Sequence, residues 1–205
     1  MFDKDLFKLN RNLKERITSK LRSLNKRSQE YIKDILVLVN REIGINKILS
    51  IILFGSQRPE RLEKESSPVS DCDLLIIFKN RVSDRHLKEI EKYFLGLELK
   101  HEFRTQTNGL FTQMLDVVQQ TTGMFVSHFL TKQRYWEKAL FHKIFRVNKV
   151  FSSCFAPKKI VLASVIDNSS ILFGKDLREI VKERIHVPHF DMIKSTAMNL
   201  IISIF

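Results

Sequence analysis

Cysteine is scarce: the 205 residues include only Cys72 and Cys154. Two thiols cannot build a disulfide framework, and neither has the spacing of a metal knuckle, so a reduced, cytoplasmic chain is expected. Long apolar runs are missing too. No segment reaches the ~18–20 apolar residues that a membrane-spanning helix needs. Near the N-terminus the apolar residues are spread among charges, unlike the core of a signal peptide. There is no internal repeat, and no spacing supports a serine- or cysteine-protease arrangement. His186 and His189 stand three residues apart with Pro188 between them and no Cys or acid partner nearby, which argues against a zinc site.

What is present is apolar content and positive charge. With 43% hydrophobic residues the chain can bury a real core, as one domain with helical additions. The formal net charge of +12 favours polyanionic company: nucleic acid, nucleotide phosphates or an acidic protein partner. Charge alone does not choose among them.

Periodicity orders the chain. Leu6, Leu9, Leu13, Ile17, Leu21 and Leu24 form one stripe of an amphipathic helix, with Lys14, Arg16, Lys20, Arg22 and Lys26 on its other faces. That basic face reads as solvated, with an RNA-binding helix as the alternative. Ser28 is placed to cap a second helix carrying Tyr31, Ile35, Leu38 and Val39, with Gly44 at its end. "KILSIILFGS" (47–56) reads as a buried strand, Gln57 to Val69 as an exposed loop, and "DLLIIF" as a second strand. Ser83 and Asp84 open a helix through Leu87, Ile90, Tyr93 and Phe94, which Gly96 is expected to end. "LELKHEF" then alternates like a strand, "GLFTQMLDVVQQ" looks helical, and "MFVSHFLT" (124–131) is a third strand. A basic helical stretch follows through "ALFHKIF". In "KKIVLASVIDNSSILFG" a helix, a turn at Asp167-Asn168 and a strand ending at Gly174 are expected. Phe141, Phe145, Phe151 and Phe155 interleave with Lys138, Lys143, Arg146, Lys149, Lys158 and Lys159; they read as core, with a stacking surface for single-stranded nucleic acid as the alternative. His128, on an apolar strand, reads as a core histidine rather than a base.

The chemistry concentrates at residues 54 to 73. Gly55-Ser56 directly follows a buried strand, where glycine permits close backbone approach and the serine hydroxyl can hold phosphate oxygens. Asp71 and Asp73 stand two residues apart at the start of the next strand, so both carboxylates project from one face while Cys72 points to the other. Paired carboxylates on one face suit a hard divalent ion such as Mg²⁺, completed by water and substrate phosphates. A phosphate cradle beside a metal site is the equipment of phosphoryl or nucleotidyl transfer.

Phe54-Gly55-Ser56, a polar loop, then Ser70-Asp71-Cys72-Asp73-Leu74-Leu75-Ile76 strongly resembles the nucleotidyltransferase superfamily that includes DNA polymerase beta. It is most similar to the small minimal nucleotidyltransferases, relatives of antibiotic-modifying enzymes. "SSILFGKDL" (169–177) is similar to the strand and Gly-Asp corner that often close such domains. The resemblance implies an α/β nucleotidyltransferase fold, a mixed β-sheet flanked by helices, over residues 46–177. A helical extension (1–45) would precede it and a C-terminal helical segment (178–205) follow it. It also implies that Gly55 and Ser56 bind the nucleotide and that Asp71 and Asp73 are the catalytic acids and Mg²⁺ ligands. The implied reaction moves a nucleoside monophosphate, AMP from ATP, to an acceptor and releases pyrophosphate.

The family adds a third carboxylate on a later strand. The centre of "MFVSHFLT", Ser127 and His128, has no acid, which leaves Glu102 and Asp116 as candidates; each alone reads as an ordinary surface acid. The second functional reading is accordingly a catalytically inactive member that binds RNA or a protein partner. "MIKSTAMNLIISIF" (192–205) stops within an apolar pattern and reads as a fragment's end or a helix packed on a partner.

Overall fold

A computed structural model describes residues 17–55, 72–103, 127–154 and 156–204. Residues 17–21 are helical, and Ile17, Leu21 and Leu24 of the predicted stripe are buried. The next helix, α1 (Lys26–Glu42), is capped one turn earlier than expected. Asn25, not Ser28, is the cap: its Oδ1 accepts the Ser28 N–H at 2.8 Å. Asn and Ser are equally good caps, and the position is decided by Ser28 being fully buried within the first turn. Gly44 ends the helix as expected, at φ +95°, with its N–H donating to the Val39 carbonyl at 2.9 Å.

Four strands follow: β1 (Ile48–Phe54), β2 (Asp73–Phe78), β3 (His128–Lys132) and β4 (Ser169–Gly174). They form one mixed sheet in the order β3-β2-β1-β4, with β1 antiparallel to β2 and β4, and β2 parallel to β3. A parallel pair needs a crossover, and α2 (Asp84–Lys100) supplies it. The Ser83 side chain caps α2 by accepting the His86 N–H at 3.0 Å.

Here the structure corrects two expectations. Gly96 lies inside α2, and "LELKHEF" continues that helix to Lys100 instead of forming a strand. A mid-helix glycine costs about 1 kcal/mol relative to alanine. The buried stripe of Leu87, Ile90 and Phe94 outweighs that cost.

The two central strands are buried on both faces, which is why they read as continuous apolar runs. On one face Ile51, Leu53, Leu74, Ile76 and Phe78 pack against α1 and α2. On the other, Ile52, Leu75, Ile77 and Phe129 meet a layer of shorter helices, α3 (Gln133–Glu137), α4 (Phe141–Ile144), α6 (Lys158–Asp167) and α7 (Arg178–Lys182), while α5 (Lys149–Cys154) packs beside α4. Trp136 is fully buried there, and its indole N–H donates to the Leu177 carbonyl at 2.8 Å. Phe141 and Phe145 belong to this core, with ring centroids 4.6 Å apart, as their helical spacing foretold. Residue 155 lies outside the described residues. The helix, turn and strand expected over 158–174 appear as α6, Asn168 and β4. The last helix is α8 (His189–Ile204). Among the described residues, no helix is long and apolar enough to cross a membrane.

Candidate active site

The sheet brings Gly55 and Asp73 together. β1 ends at Phe54 and β2 begins at Asp73, and these two residues are register partners. Gly55, the next residue, turns away at φ +82°, in the left-handed region that favours glycine. A Cβ built on Gly55 would overlap Oδ2 of Asp73 and stand 3.2 Å from its Cγ. The glycine is therefore needed twice, for its conformation and for the space it leaves beside a half-buried carboxylate. Ser56, Asp71 and Asp116 lie outside the described residues.

Register assigns the faces. Phe54 opposes Asp73, Ile52 opposes Leu75, and Leu75 lies beside Phe129, so these side chains share one face of the sheet. The rings of Phe54 and Phe129 stack at 5.9 Å there, an apolar floor next to Asp73. Cys72 is fully buried among the α1/α2 core residues on the opposite side, as the two-residue strand period requires. One step back in the β2–β3 register, Ser127 stands beside Asp73, and its carbonyl accepts the Leu74 N–H at 2.9 Å. On Asp73's face, then, β3 offers Ser127 and Phe129 and no acid. Glu102 sits just after α2, exposed, at φ +59°.

The acid that reaches the start of β3 is Glu98, which sequence reasoning missed. It is 1% exposed and comes from α2 on the opposite face. Its Oε1 accepts the Ser127 backbone N–H at 2.9 Å and lies 2.6 Å from His128 Nδ1. A carboxylate can only accept, so Nδ1 carries the hydrogen of that bond. His128 is buried, with its ring 4.9 Å from that of Phe94, and its Nε2 has no partner. Tyr31 is also fully buried with an unpartnered hydroxyl. Burial raises its phenol well above the ordinary value, and the negative fields of Glu98, Cys72 and Asp73 add to that. A polar cluster thus lies under the start of β2 and β3, and Glu98 pins the strand that flanks Asp73. A sequence signal existed: Glu98 continues the buried spacing of Leu87, Ile90 and Phe94, an unusual place for an acid.

The "SSILFGKDL" corner is structural. Gly174 pairs with Ser50, at the other end of β1 from Gly55. Asp176 accepts from Arg178 Nε at 2.9 Å and Nη2 at 2.6 Å, while Nη1 donates to the Ser169 carbonyl at 2.6 Å. These bonds hold the Asp176 carboxyl below its ordinary range despite the opposing effect of burial.

Among the described residues, no three His, Cys, Asp or Glu side chains cluster as a metal site. Of the two aspartates expected to hold a metal, Asp73 is described and Asp71 is not. No family model matches the sequence, and no curated protein matches it.

Proposed function

We propose that the chain is a nucleotidyltransferase of the DNA polymerase beta type, moving AMP from ATP to an acceptor and releasing pyrophosphate. The observation that carries this reading is Gly55 at positive φ, packed against the Asp73 carboxylate where β1 hands over to β2. The mixed four-stranded sheet with helices on both faces agrees with it.

In this reading Gly55 removes side-chain bulk so that a triphosphate can approach the backbone, and Ser56 offers its hydroxyl to a phosphate oxygen. Asp71 and Asp73 would hold Mg²⁺. The fit rests on Asp73: a hard cation takes oxygen ligands, and the space beside Oδ2 is one that any Cβ at position 55 would fill. Bound Mg²⁺ would neutralise phosphate charge and act as a Lewis acid. Glu98 acts through β3, fixing the Ser127 backbone beside Asp73. The Phe54–Phe129 stack supplies a dry wall next to the carboxylate.

Labelled ATP with Mg²⁺ tests the reading. Pyrophosphate release or self-labelling is expected from the wild-type chain and lost in Asp71→Asn and Asp73→Asn, both still folded. Absence of both turnover and Mg²⁺-dependent ATP binding in the wild type sinks it.

One observation favours the second reading, a catalytically inactive protein of the same fold that binds RNA or a protein partner. It is the presence of Ser127 and Phe129, with no acid, on Asp73's face of β3. ATP binding without pyrophosphate release is its signature.

A further inference from the structure

Toward the far end of β3 from Asp73, a cleft of about 360 Å³ opens between α2 and the α3–α4 segment. Its charges do not balance. Two carboxylates line it, Asp84 and Glu91, and both are already engaged. Asp84 accepts from the Tyr135 hydroxyl at 2.8 Å and pairs with Lys132 at 3.1 Å and Arg134 at 3.2 Å. Glu91 holds Arg146 at 2.7 Å. Lys88 and Lys143 also line the cleft, and among the described residues neither has a carboxylate partner. Arg146 is presented from a left-handed backbone at φ +56°, a conformation costly for a side chain of its size and stabilised here by Glu91. On the floor is Thr131, 1% exposed, whose hydroxyl has no hydrogen-bond partner. Buried hydroxyls are normally satisfied, so this one has unused hydrogen-bonding capacity beside the cleft.

The uncommitted groups here are mostly donors: the two ammonium groups and the remaining guanidinium N–H groups only donate, while the Thr131 hydroxyl and the His142 ring can do either. Such a donor set matches a group with several acceptor oxygens and more than one negative charge, which is a phosphate ester. The concave volume is at the lower end of small-molecule sites and suits a single phosphorylated unit rather than a polymer backbone. The local field is positive enough to be felt by His142, also in the lining. Burial depresses its imidazole pKa first, and Lys143, Lys149 and Lys158 depress it further.

We propose that this cleft binds a small phosphate-bearing molecule through Lys88, Lys143, Arg146 and Thr131. The site does not depend on the transferase reading, since none of these residues belongs to the Gly55–Asp73 corner.

The test is NMR titration of the His142 side chain in the full chain. Ribose 5-phosphate and inorganic phosphate are the probes, with ribose and a short RNA for comparison. A phosphate probe is expected to bind saturably and to raise the His142 titration midpoint, because a bound anion favours the imidazolium. Lys143→Gln should weaken binding about tenfold, the factor that 1.4 kcal/mol corresponds to. Thr131→Val should weaken it without lowering Tm, since its hydroxyl has no protein partner to lose. No saturable response to either phosphate probe overturns the proposal, and so do binding of ribose as tight as its phosphate, binding of RNA alone, or unaltered affinity in Lys143→Gln.

Discussion

Replacing Gly55 by alanine separates the candidate site from the fold, because a second glycine supplies the control. Gly55 and Gly174 have nearly the same backbone, φ +82° and +83°. An L-residue in that region costs about 1–2 kcal/mol. They differ in what a new methyl group meets. At Gly55 it meets the side-chain carboxylate of Asp73; at Gly174 it meets the backbone carbonyl of Leu49 in β1, which has less room to give. Gly55→Ala should therefore cost about 1–2 kcal/mol, and Gly174→Ala about 2–5 kcal/mol once overpacking is added. Urea unfolding followed by the fluorescence of buried Trp136 measures both. Ligand stabilisation should rank the other way. On the proposed reading, MgATP at about 100 times Kd should stabilise wild type by about 2.7 kcal/mol. Gly174→Ala, where still folded, should keep that gain, and Gly55→Ala should lose most of it because Asp73 has been displaced. Equal MgATP stabilisation in wild type and Gly55→Ala would refute the reasoning, as would a larger loss of stability at Gly55 than at Gly174.

The remaining expectations are of three kinds. Glu98→Ala leaves the Ser127 N–H and His128 Nδ1 buried without their acceptor and should cost about 3–5 kcal/mol. Glu98→Gln, which retains one carbonyl oxygen, should cost clearly less, and near-neutral urea midpoints for both would remove Glu98 from its pinning role. Burial pushes the Asp84 carboxyl up, but hydrogen bonds from Tyr135 and Lys132 and the charges of Lys132 and Arg134 outweigh it, leaving a depressed pKa. A depressed carboxylate stabilises fully above its unfolded value of about 3.9 and loses that contribution as pH falls through the folded value. Wild type should exceed Asp84→Asn by about 1 kcal/mol at neutral pH, since Asp84 itself is half-exposed and screened although Lys132 is buried. That gap should close in acid, and a gap constant down to pH ~2 contradicts the assignment. If the basic N-terminal surface binds RNA, Arg22→Gln with Lys26→Gln should lower affinity and flatten its salt dependence. Lys20 is left unchanged because its ammonium donates to the Ile171 carbonyl of β4 at 2.6 Å and so supports the fold. An unchanged salt slope in a gel-shift series excludes that surface.

Where local chemistry dominates, the sequence was sufficient. The apolar runs of β1 and β2, the Gly44 and Ser83 helix ends, and the helix–turn–strand ending at Gly174 all follow from periodicity and turn residues. Each of those signals is complete within a few neighbouring positions. Gly55 after a strand and Asp73 at the start of the next were likewise legible as parts of one site. Their contact was not, because it depends on the Phe54–Asp73 register across an intervening loop. The end of α2 was misread for a related reason. Gly96 and the alternation after it are local signs of a boundary, and the packing of Leu87, Ile90 and Phe94 against the sheet outweighs them. With that helix went Glu98, whose role exists only because the crossover lays α2 over the start of β3. Which residue flanks Asp73 was settled by the parallel β2–β3 register, which places Ser127 there and turns His128 to the other face. A two-residue strand period tells which side chains share a face, but only pairing with a distant strand tells which neighbour each one meets.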